Sequence, residues 1–157
     1  MRADPMQQTD QRAWDPDAAA DLRRRREGAM AERVRHRAAA LPKRDRALLD
    51  AVYRDGRPVV ELAAIMNLPA PVVRRRVRTL VRRVLSPEYG FVLAHRDSWT
   101  PTRRKVADAC VIEGLSIRTA AAKLRLSLHT VRAQRSIIKA LADADLQEPT
   151  SGPWGRK

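Results

Sequence analysis

The stretch from Leu41 to Val84 recurs without a gap 58 positions later, as Trp99 to Ala142. Identity between the copies is low, but it falls at positions with geometric demands. Gly56 aligns with Gly114, Ala63-Ala64 with Ala121-Ala122, Leu68 with Leu126, and Val73-Arg74 with Val131-Arg132. Arg46, Asp50 and Ala51 match Arg104, Asp108 and Ala109. A chain of 157 residues has room for one ordinary domain or two very small ones. A fixed period of this length means that one small supersecondary unit is built twice.

Each copy reads as a helix followed by a helix-turn-helix. The first, over 41–85, opens at Leu41-Pro42, where proline suits a first helical turn because its missing N–H has no partner there anyway. Leu48, Leu49, Val52 and Tyr53 form its apolar stripe, and Gly56 stops it in a left-handed conformation. Val59, Leu62, Ala63 and Met66 line a short helix, and Asn67 sits at the tight turn. The last helix, from about Ala70 to Leu85, buries Val73, Val77, Leu80 and Val84. It exposes Arg74, Arg75, Arg76, Arg78, Arg82 and Arg83. The second copy, over 99–145, starts at Thr100-Pro101. Gly114 stops its first helix, Ser116 and Ser127 cap the next two, and Arg125 occupies the turn. Val131, Ile138 and Leu141 point inward from its last helix.

Ser86-Pro87-Glu88 is a helix start signal. The segment 86–98 is expected to form a linking helix that buries Tyr89, Phe91-Val92 and His95. Residues 17–40 read as a basic helix with Leu22, Ala29-Met30, Val34 and Leu41 at roughly helical spacing. Between Asp21 and Arg46 the net charge is +6. Its arginines fit either an arm on phosphates or the solvated face of a helix packed on the first copy. Residues 1–16 and 146–157 are polar and Pro/Gly-containing, so disordered tails are expected there. The whole is then an all-α fold: tandem helix-turn-helix repeats, a basic N-terminal helix and two disordered tails.

Net charge is +14, with 32 Lys and Arg against 18 Asp and Glu. Such a field attracts polyanions and makes their binding salt-dependent. In a helix-turn-helix the second helix offers its N-terminal half to the major groove. In the second copy Ser127, His129, Arg132, Ala133, Arg135 and Ser136 are the candidate contacts. Arg132 is suited to a bidentate pair with guanine. In the first copy the candidates are Arg74, Arg75, Arg78 and Arg82. With Pro69 and Pro71 in place of short hydrogen-bonding side chains, these arginines suit phosphates better than a sharp base code.

Enzyme chemistry is not expected. His36, His95 and His129 lie in three different elements, and no HExxH, CxxC, GxSxG or phosphate-loop pattern is present. The single cysteine, Cys110, falls in an apolar helix stripe and reads as a small buried hydrophobe. No metal or cofactor is expected. MRADPMQQTD has no apolar stretch of a secretory signal, and no apolar run reaches membrane-spanning length, so a cytoplasmic location is expected.

LPKRDRALLDAVYRDGRPVVELAAIMNLPAPVVRRRVRTLVRRV resembles region four of bacterial sigma factors, through the Leu-Pro start, the Gly before the second helix, Glu61-Leu62-Ala63 and the basic last helix. WTPTRRKVADACVIEGLSIRTAAAKLRLSLHTVRAQ resembles both that family and the LuxR-type regulators, most closely in SLHTVRAQ. The resemblance implies duplex DNA as partner, a role in transcription regulation, and RNA polymerase as a second partner. A sigma region that melts promoters has no counterpart here, so a stand-alone regulator is the expectation. The alternatives are an adaptor of the transcription machinery (anti-sigma or polymerase-binding) and a structured-RNA binder. Oligomeric state is not readable.

Overall fold

Eight α-helices carry the apolar periodicity in the computed structural model, which describes residues 16–147, with side chains from Arg25 onward. They are α1 (Pro16–Ala38), α2 (Lys43–Tyr53), α3 (Val59–Met66), α4 (Ala70–Leu85), α5 (Pro87–His95), α6 (Pro101–Ala107), α7 (Ile117–Leu124) and α8 (Leu128–Gln147). A 3-10 turn, Arg96–Ser98, follows α5, and a wider turn, Asp108–Ile112, extends α6. The described residues contain no strand, so the protein is all-α among them. The tails expected over 1–16 and 146–157 lie mostly outside the described residues. Where they overlap them the expectation is corrected: Pro16 begins α1, and Leu146 and Gln147 continue α8.

The 58-residue period is written into the backbone. α3 and α7 start and end one period apart, and so do the starts of α4 and α8. Asn67 and Arg125 hold the same left-handed conformation, φ 52° and 55°. After them Leu68 N–H donates to Ala63 O (3.0 Å) and Leu126 N–H to Ala121 O (3.1 Å), closing the two helix ends alike. Gly56 and Gly114, φ 65° and 71°, end the preceding helices. Across each, an N–H reaches back to an alanine: Arg57 to Ala51 O and Leu115 to Ala109 O, both 2.9 Å. Glycine takes this conformation without the cost other residues bear, so the stop is set by sequence.

The repeat also begins earlier than Leu41. The second half of α1 packs on α2 and α4, and α5 packs on α8 and on the turn after α6. Val34 and Val92, one period apart, are both fully buried in these helices. Counted this way each half of the chain holds four helices, and the segment 86–98 packs on the second half as much as it links the two. Tyr89 and Val92 are buried as expected, whereas His95 is exposed, its Nδ1 lying 2.9 Å from Phe91 O. The ring folds back over the exposed end of α5, 4.3 Å from the Phe91 ring, where water still reaches it.

One continuous apolar cluster runs through both units, from Val34, Leu49, Val73 and Val84 to Tyr89, Val106, Val131 and Ile138. With so few aromatics, it is made of branched aliphatics and alanines, which lets helix axes approach closely. Each fully buried Val or Ile removes apolar area worth about 1.5–3 kcal/mol. Leu141 is not part of it. At 39% exposure it lies on the outer face of α8, and Ala142, one position on, is the buried residue. Met30 is likewise half exposed at 39%. Tyr89 Oη donates to Arg37 O (3.0 Å), and burial pushes its phenol up to about 12. Cys110 is half-buried, and desolvation raises its thiol pKa against the opposing influence of Arg135.

Candidate nucleic-acid interface

α4 begins at Ala70 with Pro71 in its first turn, where a missing N–H costs nothing. Val73, Val77, Leu80 and Val84 face the core. The 3.6-residue period then places Pro71, Arg75, Arg78 and Arg82 along the opposite face, with Arg74 on its flank. All of these are exposed, and the four arginines have no carboxylate partner among the described residues. No acid occurs in α4, so nothing on the helix offsets this charge.

Two other arginines of α4 are not part of that face, contrary to the expectation from sequence. Arg76 is half-buried and donates to Asp45 Oδ1 through Nη2 (2.7 Å) and Nε (3.3 Å). Arg83 Nη1 donates to Glu113 O (2.8 Å) in the second unit. Both sit where the α4 wheel turns toward a neighbouring element, which supplies a protein acceptor to each.

α8 begins at Leu128 after Ser127, whose Oγ accepts from Thr130 N–H (3.0 Å). His129, Arg132 and Ser136 are exposed, Ala133 is half-buried, and Val131, Ile138 and Ala142 face inward. Arg135 is corrected: it forms a bidentate ion pair with Glu88 of α5, through Nη1 to Oε1 and Nη2 to Oε2, and both side chains are 27% exposed. Its counterpart one period earlier is the buried Val77, so the repeat register itself places Arg135 inward. The guanidinium is accommodated there because Glu88 supplies the matching carboxylate. The structure thus leaves Ser127, His129, Arg132, Ala133 and Ser136 on one side of α8, and Arg74, Arg75, Arg78 and Arg82 on one side of α4.

The flanks of the two units differ. Val60, Ile65 and Val72 are exposed in the first unit at 60%, 65% and 49%. One period later the same places hold Arg118, Lys123 and Thr130. Lys123 is taken by Glu113 Oε1 (2.7 Å), whereas Arg118 and Arg125 are exposed beside the turn of the second unit.

Among the described residues no helix is long and apolar enough to cross a membrane. No group of three His, Cys, Asp or Glu that could hold a metal ion occurs among them either. No family model, curated protein or solved structure matches the chain.

Proposed function

We propose that the protein binds duplex DNA through two helix-turn-helix units, α3–α4 and α7–α8, and acts in transcription regulation. The observation that carries this reading is the face of α4. Four exposed arginines without carboxylate partners among the described residues line one side of a helix whose other side is core. Desolvating no acid and displacing no ion pair, such a face meets phosphates at low cost. α8 offers a mixed stripe of donors and acceptors in the same register, suited to base edges.

Binding is expected to depend steeply on salt. Neutralising about six phosphates gives a slope near −5 in log K against log salt. The measurement is a fluorescence-anisotropy titration of a random duplex over a salt series, and a flat response rejects the reading. Double-stranded RNA as competitor separates duplex DNA from structured RNA. A second reading, an adaptor that binds a protein of the transcription machinery such as RNA polymerase, is favoured by exposed Val60, Ile65 and Val72. It is the reading that survives if the salt response is flat.

The two units are expected to divide the work. Arg132→Ala loses about 1–3 kcal/mol on a selected site and blurs the preference at one base position. Arg75→Ala weakens all duplexes alike and lowers the salt slope by about one unit. Titrating both variants against a selected site and a scrambled duplex checks this. Equal weakening of both duplexes by Arg132→Ala, with loss of preference in Arg75→Ala alone, reverses the assignment.

A further inference from the structure

We propose that Arg83, seated on Gly114, is a latch that fixes the distance and angle between α4 and α8, so that the protein recognises a two-part DNA site of one spacing. The proposal rests on the reading of α4 and α8 as DNA-facing helices. Its structural half stands without DNA.

Arg83 leaves the end of α4 and crosses to the second unit, where its Nη1 donates to Glu113 O (2.8 Å). That carbonyl belongs to the turn that ends at Gly114, φ 71°. A Cβ built on Gly114 would overlap the Arg83 guanidinium, with Cζ, Nη2 and Nε all in the way. The guanidinium therefore occupies the space that a side chain at this position would need. Gly56 occupies the same register in the first unit with nearly the same φ, 65°, and nothing stands within 4 Å of its position. One glycine serves only its turn. The other serves its turn and also receives α4.

Two further contacts complete the clamp. Arg37 Nη1 donates to Val84 O (2.9 Å) and Ser86 O (3.4 Å), while its guanidinium covers Gly90. This ties α1 to the junction of α4 and α5. Glu88 of α5 then holds Arg135 of α8. These contacts hold the connection at Ser86-Pro87, and the Arg83–Glu113 hydrogen bond is the one by which an α4 side chain reaches the turn before α7. A planar arginine loses little further freedom once its fork is engaged, which suits it to hold an angle.

The pair of glycines supplies a matched control. Gly56→Ala and Gly114→Ala carry the same backbone strain, and only the second displaces Arg83. Arg83→Ala removes the latch without straining the turn. Duplexes are built from a selected site with one or two base pairs inserted between its two parts. Each inserted pair rotates one part against the other by about 34–36°. The native chain and Gly56→Ala are expected to lose about tenfold or more in affinity per insertion, on the scale of one mismatched base pair. Arg83→Ala and Gly114→Ala are expected to lose no more than about threefold, with affinity for either part alone unchanged on that same scale. A native chain indifferent to spacing, or latch variants that keep its discrimination, overturns the proposal.

A second arm needs no DNA. Spin labels at Ala64→Cys and Ala122→Cys, in a Cys110→Val background, report the distance between the units. A single narrow distribution in the native chain and Gly56→Ala, broadened by Arg83→Ala and Gly114→Ala, supports the latch. A distribution already broad in the native chain, or unmoved by the variants, overturns it. A narrow, variant-sensitive distribution in a chain that binds no duplex leaves the latch standing and rejects the DNA reading.

Discussion

Replacing Arg75, Arg78 and Arg82 together by alanine is expected to reduce duplex affinity by two to three orders of magnitude at about 0.1 M salt. Each phosphate contact contributes about 0.9 to the slope, so three contribute about 2.7 decades between 1 M and 0.1 M salt. The slope itself should fall by about three units. All three side chains are exposed and none takes part in the core, so the thermal midpoint should barely move. Arg76→Ala is the informative control, because its guanidinium is already committed to Asp45. It should leave the slope close to that of the native chain. If the triple variant loses less than tenfold, or Arg76→Ala matches it, α4 does not present the face that meets DNA.

Ile138→Ala is expected to cost about 2–5 kcal/mol of folding stability, the range for truncating a fully buried aliphatic side chain. Ile138 is fully buried in α8, at the far end of the same cluster that holds Leu49 and Val73. Because that cluster is continuous, the loss should lower one cooperative transition rather than half of it. For a chain of this size each kcal/mol moves the midpoint by about 2–4 °C, so a shift on the order of 10 °C is expected. Calorimetry checks it. Two transitions, with only one displaced by Ile138→Ala, mean that the units are independent bodies.

How far the sequence spoke for itself depends on what each residue answers to. Gly56, Gly114 and Asn67 answer to local backbone geometry, and their left-handed conformations are readable from residue type and spacing. Ser116 and Ser127 answer to the helix ends beside them, and both cap as expected. The bounds of α4 follow from Pro71 and the aliphatic period. What was not legible is which arginines are free. Arg75 and Arg83 look alike in sequence, and only the approach of Glu113, 30 residues away, separates them. Arg135 had a usable signal in its register with Val77, but its partner Glu88 lies 47 residues away, beyond any local pattern. Both α1 and α5 were expected as helices, but their correspondence one period apart was not legible, because they share little beyond Val34 and Val92. Arg33 and Phe91, one period apart, show how far the two faces have diverged. His95 and Leu141 were placed inside by hydropathy and period alone, and neither rule knows where a neighbouring helix ends.

The pair that joins Arg76 to Asp45 recurs one period later with its direction reversed: Arg103 Nε donates to Gln134 Oε1 (3.1 Å). In the first unit the donor is on α4, and in the second it is on α6. A chain that carries two similar halves risks assembling with helices exchanged between them. Were α6 to settle against α4 during folding, Arg103 would face Arg76 across a partly dry contact. The complementary error would set Asp45 against Gln134, with no cation to meet it. The reversal therefore gives each half a lock that fits only its own key. A single exchange, Arg103→Asp with Gln134→Arg, would make the two locks identical and remove the penalty on crossed assembly.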